Sequence, residues 1–159
     1  MQNNLQNKAL NRCYFFLKFR PRTEKEIVNF LYKKAKKYKL NKKRIDDVIN
    51  ELKVRKYIDD KKFVEWFVLK SIDKKIKAPF IIKKELITHG VKTKDIDEYF
   101  ENNTIDENAQ AIKLLNKYWL RWLNIEAQER FNKALNMLLR KGFRFEIAKK
   151  AIEEFKQKY

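Results

Sequence analysis

Turn-forming residues are almost missing from this sequence: its 159 residues include two glycines and two prolines. Sheets and long loops need such residues, so their scarcity points to helices joined by short connections. Cysteine and histidine occur once each, as Cys13 and His89. That leaves no intramolecular disulfide and no zinc site of the usual kind. Cys13 sits in the apolar RCYFFL run and is expected to be a small core residue. Apolar runs such as YFFL and WFVL are far too short to span a bilayer. The polar opening MQNNLQNK is unlike a secretory leader. A cytoplasmic chain without membrane contact is expected. Acidic residues are also scarce, with 21 Asp and Glu against 39 Lys and Arg and a formal charge of +18. Such a balance favours polyanionic partners, nucleic acid or an acidic protein face. The alternative is a lysine-rich habit of composition.

What is present is helical periodicity. Ile45, Val48, Ile49 and Leu52 stand at i, i+3, i+4 and i+7, and Ile27, Phe30, Leu31 and Ala35 follow nearly the same rule. Ile147, Ala151, Ile152 and Phe155 form a third stripe. Hydrophobic residues make up 44% of the chain, ample for a folded core. Helix ends are legible too. Pro21 stops one helix, and Thr23 with Glu26 forms a capping box that opens the next. Asn41 is an N-cap, Asp59 and Asp60 place negative charge at a helix start, and Pro79 suits a first turn. Gly90 and Gly142 each follow a basic last turn and read as C-cap glycines.

A repeat emerges from the segments YKLNKKRIDDVINEL, HGVKTKDIDEYF and KGFRFEIAKKAIEEF. Anchored on Leu40, Val91 and Phe143, the copies are spaced by 51 and 52 residues. Five residues after each anchor stand Ile45, Ile96 and Ala148; before the anchors lie Leu31, Leu86 and Leu138, the first copy needing about four extra residues there. The fold class expected is all-α: three tandem three-helix repeats in an elongated, curved array. The repeats span 1–58, 59–103 and 104–159. Their helices are placed at 6–19, 24–38 and 42–56, then 60–76, 80–89 and 94–102, then 107–123, 125–141 and 145–157.

No catalytic constellation appears. Two glycines 52 residues apart cannot form a phosphate loop. His89 has no evident carboxylate partner and reads as a basic residue at a helix end. No catalytic, metal or cofactor-binding residue is assigned, and the chain is read as a non-enzyme. The basic residues carry more information. LYKKAKKYKLNKKR gathers Lys33, Lys34, Lys36, Lys37, Lys42, Lys43 and Arg44 at a helix junction, and Lys74, Lys75 and Lys77 form a second group. They fit a phosphate-tracking groove or a solubilising face equally. Tyr118, Trp119, Leu120, Trp122 and Leu123 make the NKYWLRWLN segment apolar nearly all round a helix. Most of them are expected in the core, with one tryptophan left for a base or a partner.

LKFRPRTEKEIVNFL resembles the opening signature of the RecX family, regulators of the RecA recombinase: Leu17, Arg20, Arg22, Thr23, Glu26, Ile27 and Leu31 occupy its places. LKVRKYIDDKKFVEWFV is similar to the family's next block through Leu52, Tyr57, Ile58, Asp59, Asp60 and Phe63. KAPFIIKKELITHGV resembles the Lys-Gly-Pro block, departing at Ala78 and His89. LLRKGFRFEIAKKAI looks like the last block, with Arg140, Lys141, Gly142 and Phe143. The resemblance implies three tandem three-helix repeats, in agreement with the period. It also implies a monomeric regulator that binds the filament of RecA on single-stranded DNA and mainly inhibits its ATPase, extension and strand exchange. The DNA would be contacted directly or through the filament. Arg20, Arg22, Arg140 and Lys141 join the basic groups as candidate contacts. The alternative is a basic helical DNA-binding protein that acts without RecA.

Overall fold

The computed structural model describes residues 2–157. Nine α-helices follow one another, and no strand occurs among the described residues. The first three are α1 (Gln2–Lys18), α2 (Glu24–Tyr38) and α3 (Lys42–Val54). Next come α4 (Asp60–Lys70), which runs into a π turn (Ser71–Lys75), α5 (Pro79–Thr88) and α6 (Thr93–Asn102). The last are α7 (Glu107–Tyr118), closed by a 3₁₀ turn (Trp119–Trp122), α8 (Ala127–Arg140) and α9 (Phe145–Lys156). No helix is long and apolar enough to cross a membrane among the described residues.

The starts are fixed by local chemistry. Thr23 and Glu26 make the full capping box: Thr23 Oγ1 accepts from the Glu26 N–H at 3.2 Å, and Glu26 Oε2 accepts from the Thr23 N–H at 3.2 Å. Asn41 caps α3, Asp106 caps α7, and Asp59 Oδ1 accepts from the Lys62 N–H at 3.1 Å.

The ends reveal the repeat in three dimensions. Lys39 (φ 49°), Gly90 (φ 88°) and Gly142 (φ 88°) all adopt the left-handed conformation, each directly before an anchor. The anchor N–H then reaches back five residues: Leu40 to Ala35 O at 2.9 Å, Val91 to Leu86 O at 3.1 Å, Phe143 to Leu138 O at 3.2 Å. This is one closing motif made three times. It corrects the expected insertion in the first copy, because Ala35 holds the place of Leu86 and Leu138 and no residues need be added. Leu31, Ile82 and Ala134, nine residues before each anchor, are all fully buried.

Close contacts group the chain into two compact units, residues 1–66 with 86–99 and residues 67–85 with 100–159. In the first, Ala9, Cys13, Ile27, Leu31, Val48 and Leu52 centre the core of α1–α3. Burial pushes the Cys13 thiol up to about 12, so it is an inert packing residue. In the second, Trp119 meets Phe155 edge-on at 5.1 Å, over a floor of Leu114, Leu138, Ala151 and Ile152. The Trp119 segment differs from expectation. Only Trp119 is buried, Tyr118 and Trp122 are half-buried, and Leu120 and Leu123 are exposed. The 3₁₀ turn tightens the chain, which rotates these side chains away from a single inward stripe.

Candidate functional site

The junction between α1 and α2 is organised around one carboxylate. Arg20 grips Glu26 with two parallel bonds, Nη2 to Oε1 at 2.5 Å and Nη1 to Oε2 at 3.0 Å. Arg22 Nη1 stands 3.7 Å from the same Oε1, and its guanidinium lies 3.8 Å from the centre of the Phe16 ring. His89 Nδ1 completes the cluster at 3.6 Å from Glu26 Oε1, so the histidine does have a carboxylate partner. Burial alone would raise Glu26, but the Arg20 bonds, the Thr23 N–H and the nearby charges hold its carboxyl below the usual value. Burial and the charge of Arg20 pull the Arg22 guanidinium below its ordinary value.

The same junction fastens distant segments. Thr23 is fully buried, and its hydroxyl donates to His89 O at 2.7 Å. Asp60 Oδ1 accepts from the Glu24 N–H at 2.9 Å, which sets a carboxylate on the N-terminus of α2. Burial raises Asp60, with the Glu24 N–H working against it. Arg20 and Arg22 are thus structural residues first; their guanidiniums are already committed within the fold.

The lysines are placed differently. Lys33, Lys34, Lys36 and Lys37 are exposed on α2, and Lys42 and Lys43 are exposed at the start of α3. Arg44 is half-buried and donates to Lys39 O at 2.8 Å. In the other unit, Lys74 and Lys75 are exposed on the π turn, while Lys77 is paired with Glu85. Lys141 Nζ donates to Lys75 O at 3.1 Å, which brings the second basic group together with the RKGF block. Arg140 is exposed and lines a cleft of about 780 Å³ with Trp122, Lys133 and Leu139. No group of metal-ligating side chains occurs among the described residues.

A smaller cleft escaped the sequence reading. About 260 Å³ lies between α1 and α2, lined by Arg12, Phe15, Phe19, Lys34 and Lys37 among others. Arg12, Phe15, Phe16 and Phe19 are spaced at i, i+3, i+4 and i+7, a stripe that periodicity assigns to a core. Nothing in that spacing distinguishes a buried stripe from an exposed one.

Comparison with known proteins gives concordant results. Residues 106–152 match the family model described as RecX, third three-helix domain. The regulatory protein RecX of Oceanobacillus iheyensis is 32% identical over 143 residues, covering 89% of this chain and 51% of that protein. The regulatory protein RecX of Streptococcus agalactiae is 30% identical over 145 residues, covering 90% of this chain and 54% of that protein. The chain therefore spans about half the length of the curated relatives it matches. Among solved structures, RecX from Lactobacillus salivarius superposes with a TM-score of 0.76 at 24% identity, covering 98% of this chain and 99% of that one. A second regulatory protein RecX gives 0.72 at 27% identity, covering 96% and 73%.

Proposed function

The chain belongs to the RecX family, and from that premise we propose that it regulates a recombinase: it binds the filament of RecA on single-stranded DNA and mainly inhibits its ATP hydrolysis, extension and strand exchange. The observation that carries this reading is the ordered likeness to proteins named as regulators over about nine-tenths of the chain. Its role is to bind rather than to catalyse. Lys33, Lys34, Lys36 and Lys37 of α2 and Lys42 and Lys43 at the start of α3 support the reading, since they place positive charge on the surface. Individually weak contacts of this kind add strongly once several engage one filament.

The test is ATP hydrolysis by RecA on single-stranded DNA, followed as the protein is titrated in. Hydrolysis should fall at or below a stoichiometric dose. Replacing Lys33, Lys34, Lys36, Lys37, Lys42 and Lys43 together by Gln should raise the dose needed at least tenfold. Hydrolysis unchanged by a stoichiometric dose of the unaltered protein overturns the proposal.

A further inference from the structure

We propose that a groove in the second compact unit, running from α5 past the end of α8 to the 3₁₀ turn, binds an acidic peptide segment of a partner protein. Its apolar side chains would rest on Phe80, Leu139 and Trp122, and its carboxylates on Arg140 and Arg144. This goes beyond filament regulation, because the contact requires neither recombinase nor nucleic acid.

Two clefts make the groove, and both lie within residues 67–85 and 100–159. One, of about 740 Å³, is lined by Phe80, Lys83, Phe100 and Arg144 among others. The other, of about 780 Å³, is lined by Trp122, Lys133, Asn136 and Arg140. Leu139 lines both, so the clefts meet at that side chain. The base is fixed. The Ala78 N–H donates to Lys141 O at 3.0 Å, and Ile81 fills the space that a Cβ on Gly142 would take. The edges are open: Phe80 is 66% and Leu139 40% exposed, and Trp122 is half-buried. Leu120 and Leu123, exposed as well, flank Trp122 along the chain. So many large apolar side chains left in water mark a surface that a partner covers.

Charge identifies the occupant. Lys83, Lys133, Arg140 and Arg144 line the groove against one carboxylate, Glu107. Lys133 is paired with Glu129 at 3.4 Å, and Lys83 Nζ lies 4.8 Å from the centre of the Phe100 ring. Arg140 and Arg144 are exposed, and no ion pair or side-chain hydrogen bond to either occurs among the described residues. A second copy of the chain would set a charge of +18 against +18. Nucleic acid fits less well. Lys83 covers one face of Phe100, and Tyr118 stacks on Trp122 at 6.3 Å with planes 18° apart. Leucine offers a base no π surface. Residues 107–157 hold eleven Lys and Arg and six carboxylates, against fourteen and two in residues 1–45, so a phosphate chain is drawn elsewhere. Aliphatic surface beside two unpaired arginines matches carboxylates interleaved with bulky apolar side chains.

The experiment is a fluorescence anisotropy titration of a labelled Glu-Tyr copolymer with the full chain, without recombinase or nucleic acid. The copolymer should bind at least tenfold more tightly than polyglutamate of equal length, which has the charge but no apolar side chains. The double variant Phe80→Ala with Leu139→Ala should remove that advantage and leave polyglutamate binding unchanged. Arg140→Gln with Arg144→Gln should weaken copolymer binding at least tenfold and reduce its dependence on salt. Should the alanine pair fold poorly by circular dichroism, the arginine pair still decides, since both side chains are exposed and unpaired. Unchanged copolymer affinity in the folded variants overturns the proposal. So does polyglutamate binding as tight as copolymer binding. Oligothymidylate binding that falls in the same variants, while the copolymer is ignored, overturns it in favour of nucleic acid. Self-association by sedimentation that the variants abolish, with the copolymer ignored, overturns it in favour of a second copy. Since no recombinase is present, failure here leaves the ATPase result standing, and the reverse also holds.

Discussion

α2 and α8 are equivalent helices of the repeat, yet they are secured by different means. The start of α2 is held by polar groups: a buried threonine bonded to His89 O, an aspartate on its N-terminus, and a glutamate shared by two arginines and a histidine. The start of α8 is held by its own neighbours in sequence: Glu126 accepts from the Gln128 and Glu129 N–H groups at 2.9 and 3.3 Å, and Arg130 donates to Leu123 O and Ile125 O at 3.1 and 2.9 Å. Its anchorage comes later along the helix, where Ala134, Met137 and Leu138 enter the core built around Trp119 and Phe155. Where carboxylates are few, one of them serves several partners. Where they are more numerous they spread into exposed pairs such as Lys150–Glu154 at 3.7 Å, which stabilise little.

Four substitutions sharpen this contrast, from the largest expected effect to the smallest. Trp119→Ala should cost ~3–5 kcal/mol in chemical denaturation, because it empties the centre of an apolar core. A loss under 1 kcal/mol would show that α8 does not depend on that packing. Gly142→Ala should cost ~2–4 kcal/mol. The residue is left-handed at φ 88°, and its new Cβ would lie 2.2 Å from Ile81 Cγ1.

Glu26→Gln should cost ~1–3 kcal/mol at neutral pH, as expected for a carboxylate bonded to charged donors. The sign of its pH dependence follows from a native pKa held below the ordinary 4.5. The stabilisation is complete above that value and drains away as pH falls through the native one. The variant should therefore lose part of the acid-induced decline in stability. An unaltered acid limb would remove Glu26 from the centre of the junction. Lys39→Gly should act in the opposite direction and stabilise by up to ~1 kcal/mol, since glycine takes the left-handed conformation without strain. A loss on thermal melting would mean that the Lys39 side chain supports the cap.

The helices were legible in the sequence because their signals are local. A capping box, an Asn cap and an i, i+3, i+4 stripe act within one or two turns, and the structure forms each where the residues stand. The repeat was legible for the same reason, except in its first copy. There a lysine replaces glycine at the left-handed position, so the closing motif lost its marker and Leu31 was aligned in place of Ala35. The YWLRWLN segment was misjudged because burial depends on a 3₁₀ turn that composition does not announce. The basic residues were legible as a charge but not as a surface.

The sequence by itself determined an all-helical chain, its repeat and its excess of positive charge, since each follows from residue identity and short-range spacing. Tertiary structure decided which cations remain available. Arg20 and Arg22 read from the sequence as candidate contacts, but both stand against Glu26 once α1 turns back on α2. Lys34 and Lys37 look like any helical lysines until α1 and the bend after it bring Phe15 and Phe19 into the same cleft. Coulombic pairing and aromatic contact act between groups distant along the chain, so only the folded arrangement separates charge that holds the protein together from charge offered to a partner.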